Sequence, residues 1–211
     1  MNLQRPFLIV IFSFLFFLTA NGQHFVFYFH GAIIENKGPE AVDSINGYGA
    51  YKYFDIVDSL RKRKNIVISE VRKPGTDVKE YAQKVARQVD SLLKNNVSPQ
   101  NITVIGASKG SVIAMYVSTF LKNKDVNFVF MAACSDDLFA SHPDIMFYGN
   151  ILSIYEKSDM NGTCLRFKYK STSINHYKEV ALNTGLKHGF LYRPLNEWIV
   201  PVRKWINNNY E

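Results

Sequence analysis

The chain has 211 residues, of which 47% are hydrophobic and 20% charged, so its composition is globular and its length suits one sizeable core rather than two. The formal net charge is +7, but basic residues cluster only at Arg61-Lys62-Arg63-Lys64, which is typical of a solvated helix end. We therefore expect no nucleic-acid partner. Two cysteines without clustered histidines argue against a structural zinc, and we predict no metal site.

Residues 1–22 differ from the rest of the chain. Arg5 supplies positive charge, residues 7–18 are almost wholly apolar, and Ala20-Asn21-Gly22 provides the small residues that signal peptidase reads. The apolar run is about a dozen residues, whereas spanning a bilayer takes roughly 20. We expect a cleaved signal peptide at residues 1–22, one domain at residues 23–211, no stable membrane span after cleavage, and a secreted or periplasmic protein.

Along the remaining chain, continuous apolar runs alternate with segments in which apolar residues recur at helical spacing. Unbroken apolar runs predict buried strands, and apolar residues at helical spacing predict amphipathic helices. Asp77 can cap one helix, with Glu80 three residues later completing a capping-box pair. In chain order we predict a strand at 25–29, a helix at 51–64, a strand at 65–71, a helix opened by Asp77, a strand at 102–107, a helix at 111–121, strands at 126–133, 151–155 and 177–182, and a helix at 198–206.

This alternation, with short connections, indicates βαβ units on a mostly parallel sheet with helices on both faces, which is an α/β fold. Ligand sites in such sheets lie beyond the carboxyl ends of the strands. Functional residues should therefore follow apolar runs directly.

The segment Gly106-Ala107-Ser108-Lys109-Gly110 lies between a predicted strand and a predicted helix, which is the context that a G-x-S-x-G nucleophile turn requires. The turn is sharp, so glycines are needed where side chains would collide. A helix that begins at the serine also stabilises developing negative charge. The pattern predicts Ser108 as a nucleophile.

A serine hydroxyl needs a base to remove its proton, and folds with this turn order their triad as serine, acid, histidine. His188 is the best candidate for the base, because it follows the last predicted strand. Asp159 follows the preceding strand by a short loop and is favoured as the acid that orients the imidazole. Asp136 and Asp137 follow an earlier strand in the same manner and remain alternatives.

Acyl transfer also needs two backbone N–H donors at the position of the oxyanion. Lys109, the residue after the nucleophile, can supply one donor. The other is expected from the loop after the first strand, at Gly31 or Ala32. We interpret the adjacent His30 as a packing and hydrogen-bonding residue.

Together, His30-Gly31, Gly106-Ala107-Ser108-Lys109-Gly110, Asp159 and Leu186-Lys187-His188-Gly189 resemble the α/β-hydrolase superfamily, and the resemblance covers nearly the whole mature chain. It implies the α/β-hydrolase fold and a Ser-His-Asp mechanism that needs no cofactor. Serine at the turn, where dehalogenases and epoxide hydrolases of this superfamily carry aspartate, implies ester, thioester or amide hydrolysis. Residues 134–150 are too few for the helical cap of many members, so we expect a small member with an open site.

We therefore expect a serine hydrolase that cleaves a carboxylic ester or thioester, with a small-molecule or polymer-borne ester as its substrate. A peptidase of the same fold and a non-catalytic binding protein of the same fold are the alternatives.

Cys134 follows one predicted strand, and Cys164 follows the acid loop after the next strand. Export permits a disulfide. We expect these two cysteines to be bonded and the bond to tether the loop that carries Asp159.

Overall fold

The computed structural model describes residues 22–62 and 65–211. The predicted signal peptide, apart from Gly22, lies outside the described residues, and so do Arg63 and Lys64 of the basic cluster. Within those two ranges, no helix has the length and apolar character needed to cross a membrane. In chain order the elements are β1 (His24–Phe29), α1 (Ala32–Lys37), β2 (Val42–Asp43), β3 (Gly49–Ala50), α2 (Tyr53–Leu60), β4 (Asn65–Ile68), α3 (Val78–Lys94), β5 (Ile102–Ala107), α4 (Lys109–Leu121), β6 (Asn127–Met131), α5 (Asp136–Ser141), β7 (Tyr148–Glu156), α6 (Leu165–Lys170), β8 (Ser173–Leu182) and α7 (Asn196–Ile206), with short 3-10 helices at Pro99–Asn101 and Lys187–Tyr192.

Within the described ranges, six strands form one sheet in the order β4-β1-β5-β6-β7-β8, and every neighbouring pair is parallel. Strands β2 and β3 form a separate antiparallel pair. In the sheet Phe29 pairs with Gly106, and Met131 pairs with both Ala107 and Ile154. The carboxyl ends of β1, β5, β6 and β7 therefore lie side by side at one edge, and the predicted parallel α/β architecture is confirmed.

Two hydrophobic cores lie on the two faces of the sheet. In β1, Val26 and Tyr28 belong to the core that packs against α2 and α7, whereas Phe27 and Phe29 belong to the core that packs against α3, α4 and α6. Because successive side chains of a strand point to opposite faces, a strand buried on both sides is apolar throughout. This explains why the strands could be recognised as unbroken apolar runs.

The structure departs from the predicted elements in its short helices and at element ends. Helix α2 ends at Leu60 rather than at residue 64, and β8 begins at Ser173, four residues before its predicted start. Helices α1, α5 and α6 were not predicted, because each has six residues and so too few turns to show an apolar period. The predicted cap of α3 is present, with Asp77 Oδ1 accepting from the Glu80 backbone N–H at 2.8 Å.

Helix α4 crosses the ends of β1 and β5 at very short range. A Cβ atom on Gly110 would overlap the carbonyl group of Phe29, and one on Gly106 would overlap the backbone of Gly110 and Ser111. The obstructing atoms are backbone, so they cannot move as the tip of a side chain could. Only glycine at these two positions lets the helix start directly above the strand ends.

We predict that Gly110→Ala lowers the free energy of unfolding by more than about 3 kcal/mol, because the backbone of β1 must shift to admit one methyl group. The matched control is Gly162→Ala, where a Cβ meets nothing within 4 Å and φ is not positive. Urea denaturation of both variants measures the difference. Equal stability of the two variants would contradict the close crossing.

Candidate active site

Ser108 occupies the sharp turn between β5 and α4. Its φ of 54° and ψ of −122° are rare for a residue with a side chain and cost roughly 1–3 kcal/mol. The turn is held by the Ser108 N–H, which donates to the Met131 carbonyl at 2.9 Å, and by the Ser111 hydroxyl, which donates to the Gly106 carbonyl at 2.6 Å. These bonds keep the strained conformation and leave the Ser108 side chain partly exposed at the sheet edge.

His188 and Asp159 are in direct contact. His188 Nδ1 donates to Asp159 Oδ2 at 2.7 Å, and the Asp159 side chain is only 3% exposed. An ionised carboxylate can only accept, so the ring proton lies on Nδ1 and Nε2 remains free to accept a proton. The Asn161 backbone N–H donates to Asp159 Oδ1 at 3.3 Å. The pair has the geometry of a histidine base oriented by an acid.

The alternative acids are engaged elsewhere. Asp136 forms an ion pair with Arg166 and its side chain is 86% exposed. Asp137 lies in the first turn of α5 and is exposed. Among the described residues neither of them bonds to His188, so the geometry favours Asp159 over both.

A second buried carboxylate, Glu156, joins the loop that carries Asp159 to the loop that carries His188. Its Oε2 accepts from the Thr184 backbone N–H at 2.8 Å and from the Thr184 hydroxyl at 2.7 Å. Its Oε1 accepts from the Ser158 hydroxyl at 3.3 Å, and the Ser158 oxygen in turn accepts from the Lys187 N–H at 3.1 Å. Burial raises the pKa of Glu156, but the bonds from Thr184 and Ser158 outweigh it and hold the pKa below its usual value. Glu156 was not predicted from the sequence, although a glutamate that ends a buried strand just before the loop of Asp159 was an available signal.

The candidate oxyanion donors lie beside the nucleophile. A Cβ on Gly31 would sit 3.4 Å from Ser108 Cβ, so the loop after β1 passes close to the serine. Burial raises the pKa of Tyr51 to about 12, and a backbone hydrogen bond from Gly31 opposes that rise. Ala32 and Lys109 are each the first residue of a helix, so their N–H groups have no intrahelical partner and are candidate donors together with that of Gly31.

The predicted disulfide is present between Cys134 and Cys164. It connects the end of β6 to the residue before α6, and the Gly162 N–H also donates to the Cys134 carbonyl at 2.8 Å. Closing a loop across 30 residues contributes about 3–4 kcal/mol in the chain-entropy account. Both links hold the segment that follows Asp159.

The edge of the sheet is open on the side of Asp159 and His188. Between β6 and β7 the chain forms only the short helix α5. A cavity of about 270 Å³ lies against Tyr48 and Leu186, and another of about 210 Å³ lies against Phe139 and Met160. In the described part of the chain no group of three or more His, Cys, Asp or Glu side chains could hold a metal ion.

His30 lies fully buried at the end of β1. Its Nδ1 donates to the Gly31 carbonyl at 2.9 Å, and its Nε2 accepts from the Arg72 backbone N–H at 3.1 Å. Burial, helped by the charge of Arg72, lowers the pKa of His30 to about 4. The ring is therefore neutral at pH 7 and supports the loop of Gly31 and Ala32.

His30 makes the stability of the fold depend on pH. The unfolded chain binds the His30 proton near pH 6.5 and the folded chain only near pH 4, so unfolded molecules bind more protons between these values. The free energy of unfolding is therefore highest above pH 6.5, where the His30 ring is neutral in both states. It falls by up to about 3 kcal/mol as the pH is lowered towards 4. We predict that His30→Gln shows a smaller loss over this window in urea titrations than wild type does. The control His176→Gln, at an exposed site, should lose as much as wild type, and an equal loss in His30→Gln would contradict the assignment.

No protein-family model and no curated protein sequence matches this chain. Solved structures do match. SOBER1 from Arabidopsis thaliana has a TM-score of 0.57 and 13% identity, over 90% of this chain and 100% of that one. An esterase from the fungus Rhizomucor miehei has a TM-score of 0.57 and 15% identity, over 89% of this chain and 75% of that one. The type II thioesterase YbtT of the yersiniabactin pathway has a TM-score of 0.53 and 10% identity, over 90% of this chain and 96% of that one. At these identities the likeness establishes a shared fold, and the predicted fold class is confirmed.

Proposed function

From the α/β-hydrolase fold of this chain, we propose that it is a serine hydrolase that cleaves a carboxylic ester or thioester through an acyl-enzyme. The observation that carries the proposal is the 2.7 Å hydrogen bond from His188 to buried Asp159, at the same sheet edge as the strained Ser108 turn. A buried carboxylate, a histidine with a free Nε2 and a serine in this turn are the parts of an acyl-transfer triad.

In the proposed mechanism the Ser108 oxygen attacks the carbonyl carbon and His188 Nε2 accepts the hydroxyl proton. The negative oxygen that forms is bound by the N–H groups of Ala32 and Lys109. Collapse of this intermediate expels the alcohol or thiol, which takes the proton from His188, and leaves the acyl group on the serine. His188 then activates a water that releases the acid.

No hydrogen bond joins the Ser108 hydroxyl to His188 in the part of the chain described. In ligand-free enzymes catalytic hydrogen bonds are often long and tighten only when substrate binds. The side chain of His188 is 24% exposed, so the ring can meet a substrate without rearrangement of the core. The proposed proton transfer therefore needs the Ser108 hydroxyl and His188 Nε2 to come within hydrogen-bond distance in the substrate complex.

The surroundings of the triad suit an ester with an apolar acyl group. Met160, next to Asp159, is 90% exposed, and Leu186, two residues before His188, is 37% exposed. Exposed apolar side chains beside a site are available for contact with substrate. Among the structural neighbours are proteins named as an esterase and as a thioesterase, which supports the same substrate class. The open edge is compatible with a small ester or with an ester carried at the end of a polymer.

Secretion or a periplasmic location also belongs to the proposal. The leader pattern at residues 1–22 motivates it, and the disulfide between Cys134 and Cys164 fits an oxidising compartment.

A fluorophosphonate probe tests the proposed triad without knowledge of the substrate. We predict that the probe labels the wild-type protein, that Ser108→Ala is not labelled, and that Asp159→Asn slows labelling by at least about 100-fold because the imidazole loses its orientation. Asp137→Asn, at an alternative acid position, should change the rate by less than about twofold.

Two other results would redirect the proposal. Slow labelling of Asp137→Asn with normal labelling of Asp159→Asn would assign the role of the acid to Asp137. No labelling of folded wild type would favour a non-catalytic binding protein. Once labelling is established, comparison of short ester, thioester and peptide substrates separates an esterase from a peptidase.

A further inference from the structure

A buried carboxylate, Glu35, binds two cationic side chains next to the nucleophile turn. Its Oε2 accepts from Arg72 Nε at 3.1 Å, and its Oε1 accepts from Lys109 Nζ at 2.6 Å. The side chains of Glu35 and Arg72 are 2% and 0% exposed, and that of Lys109 is 25% exposed. Lys109 Nζ also donates to the Thr76 carbonyl at 2.9 Å. We call Glu35, Arg72 and Lys109 the Glu35 clamp.

The Glu35 clamp is charged at neutral pH. Burial raises the pKa of Glu35, but the hydrogen bonds and charges of Lys109 and Arg72 outweigh burial and hold the pKa below its usual value. The carboxylate is therefore ionised, and it can bind both cations at once.

The clamp connects the two segments that carry the proposed oxyanion donors. Glu35 lies in α1, three residues after Ala32, and Lys109 is itself the residue whose backbone N–H is the other donor. Arg72 adds a third anchor, because its Nη2 donates to the His30 carbonyl at 2.5 Å. The ion pair of Glu35 with Lys109 thus bridges the two donor segments directly.

Stability alone is a poor explanation for the clamp. Burying charges carries a large desolvation cost, and apolar replacements of buried ion pairs are often neutral or stabilising. Arg72 Nη1 is buried and has no hydrogen-bond partner among the described residues, so the group is not fully satisfied. What the clamp does provide is a fixed distance between the loop after β1 and the first residue of α4.

We propose that Glu35 and the Lys109 side chain are positioning residues that hold the N–H groups of Ala32 and Lys109 at the separation an oxyanion requires. The inference rests on the proposed hydrolase function and deepens it. Donors must lie about 2.7–3.1 Å from the developing oxyanion. A small increase in the separation of the two donors therefore reduces stabilisation of the transition state far more than it reduces binding of the ground state. Loss of the clamp should therefore slow the chemical step and leave binding of the probe nearly unchanged.

The test is Lys109→Met, which retains the apolar stem, removes the ammonium group and keeps the pair of Glu35 with Arg72. With a fluorophosphonate at increasing concentration, we expect the maximal labelling rate to fall about 10- to 100-fold, somewhat less than the loss of a whole oxyanion donor. The half-saturating probe concentration should stay within about twofold of wild type. Phenylboronic acid, which forms a tetrahedral adduct with the serine, should bind more weakly by a similar factor.

The matched control is Lys79→Met, which removes an exposed lysine that pairs with Asp144 at 2.8 Å and should leave the maximal rate unchanged. Lys109→Arg, which can still bind Glu35, should restore most of the lost rate. In a double-mutant cycle, Lys109→Met should add little to the loss caused by Glu35→Gln, because both variants remove the ion pair between Glu35 and Lys109. Should Lys109→Met not fold, Lys109→Gln makes the same test.

The outcomes separate this inference from the function on which it rests. If folded wild type is not labelled, the proposed function fails and the inference fails with it. If wild type and Lys79→Met are labelled and a folded Lys109→Met is labelled at the same maximal rate, the function stands and the inference is overturned. A rise in the half-saturating concentration with an unchanged maximal rate also overturns it, because the side chain would then act in binding.

Discussion

The close crossing of α4 over the ends of β1 and β5 is the constraint on which the candidate site depends. Gly106 and Gly110 allow backbone to touch backbone there, and the turn between them forces Ser108 into a strained conformation. The parallel register then brings the ends of β6 and β7 alongside, so the residues that follow those strands reach the same edge. Packing on both faces of the sheet stabilises this arrangement against the cost of the strained turn.

Two buried glutamates organise the two halves of that edge. Glu35 joins the loop after β1 to the start of α4, and Glu156 joins the loop of Asp159 to the loop of His188. Both remain ionised because hydrogen-bond donors outweigh their burial. Loops at strand ends have few regular hydrogen bonds of their own, so a buried acceptor with several donors is an effective means of holding them. The proposed nucleophile with its oxyanion donors, and the proposed acid and base, are thus supported by separate polar groups.

Much of the fold could be predicted from the sequence, because doubly buried strands are apolar at every position. The strand at Ile102–Ala107 agrees with its predicted bounds, and the turn at Ser108 follows from its glycines. The sequence favours Asp159 as the acid but leaves Asp136 and Asp137 as alternatives, because all three follow buried strands. Among the described residues Asp159 is the one of the three that bonds to His188, and its role as the acid stays a prediction. Glu35 could not be assigned from the sequence, because its partner Lys109 lies 74 residues away and an isolated glutamate after two isoleucines carries no pairing information.

Capture of an acyl-enzyme tests the central claim most directly. The wild-type protein is mixed with p-nitrophenyl acetate, and nitrophenol release and intact mass are followed together. The proposed mechanism predicts an initial burst of about one equivalent of nitrophenol per protein molecule. It also predicts that each molecule gains one acetyl group, on the peptide that contains Ser108. Nitrophenol release no faster than that from Ser108→Ala, or an acetyl group trapped at a residue other than Ser108, would contradict it.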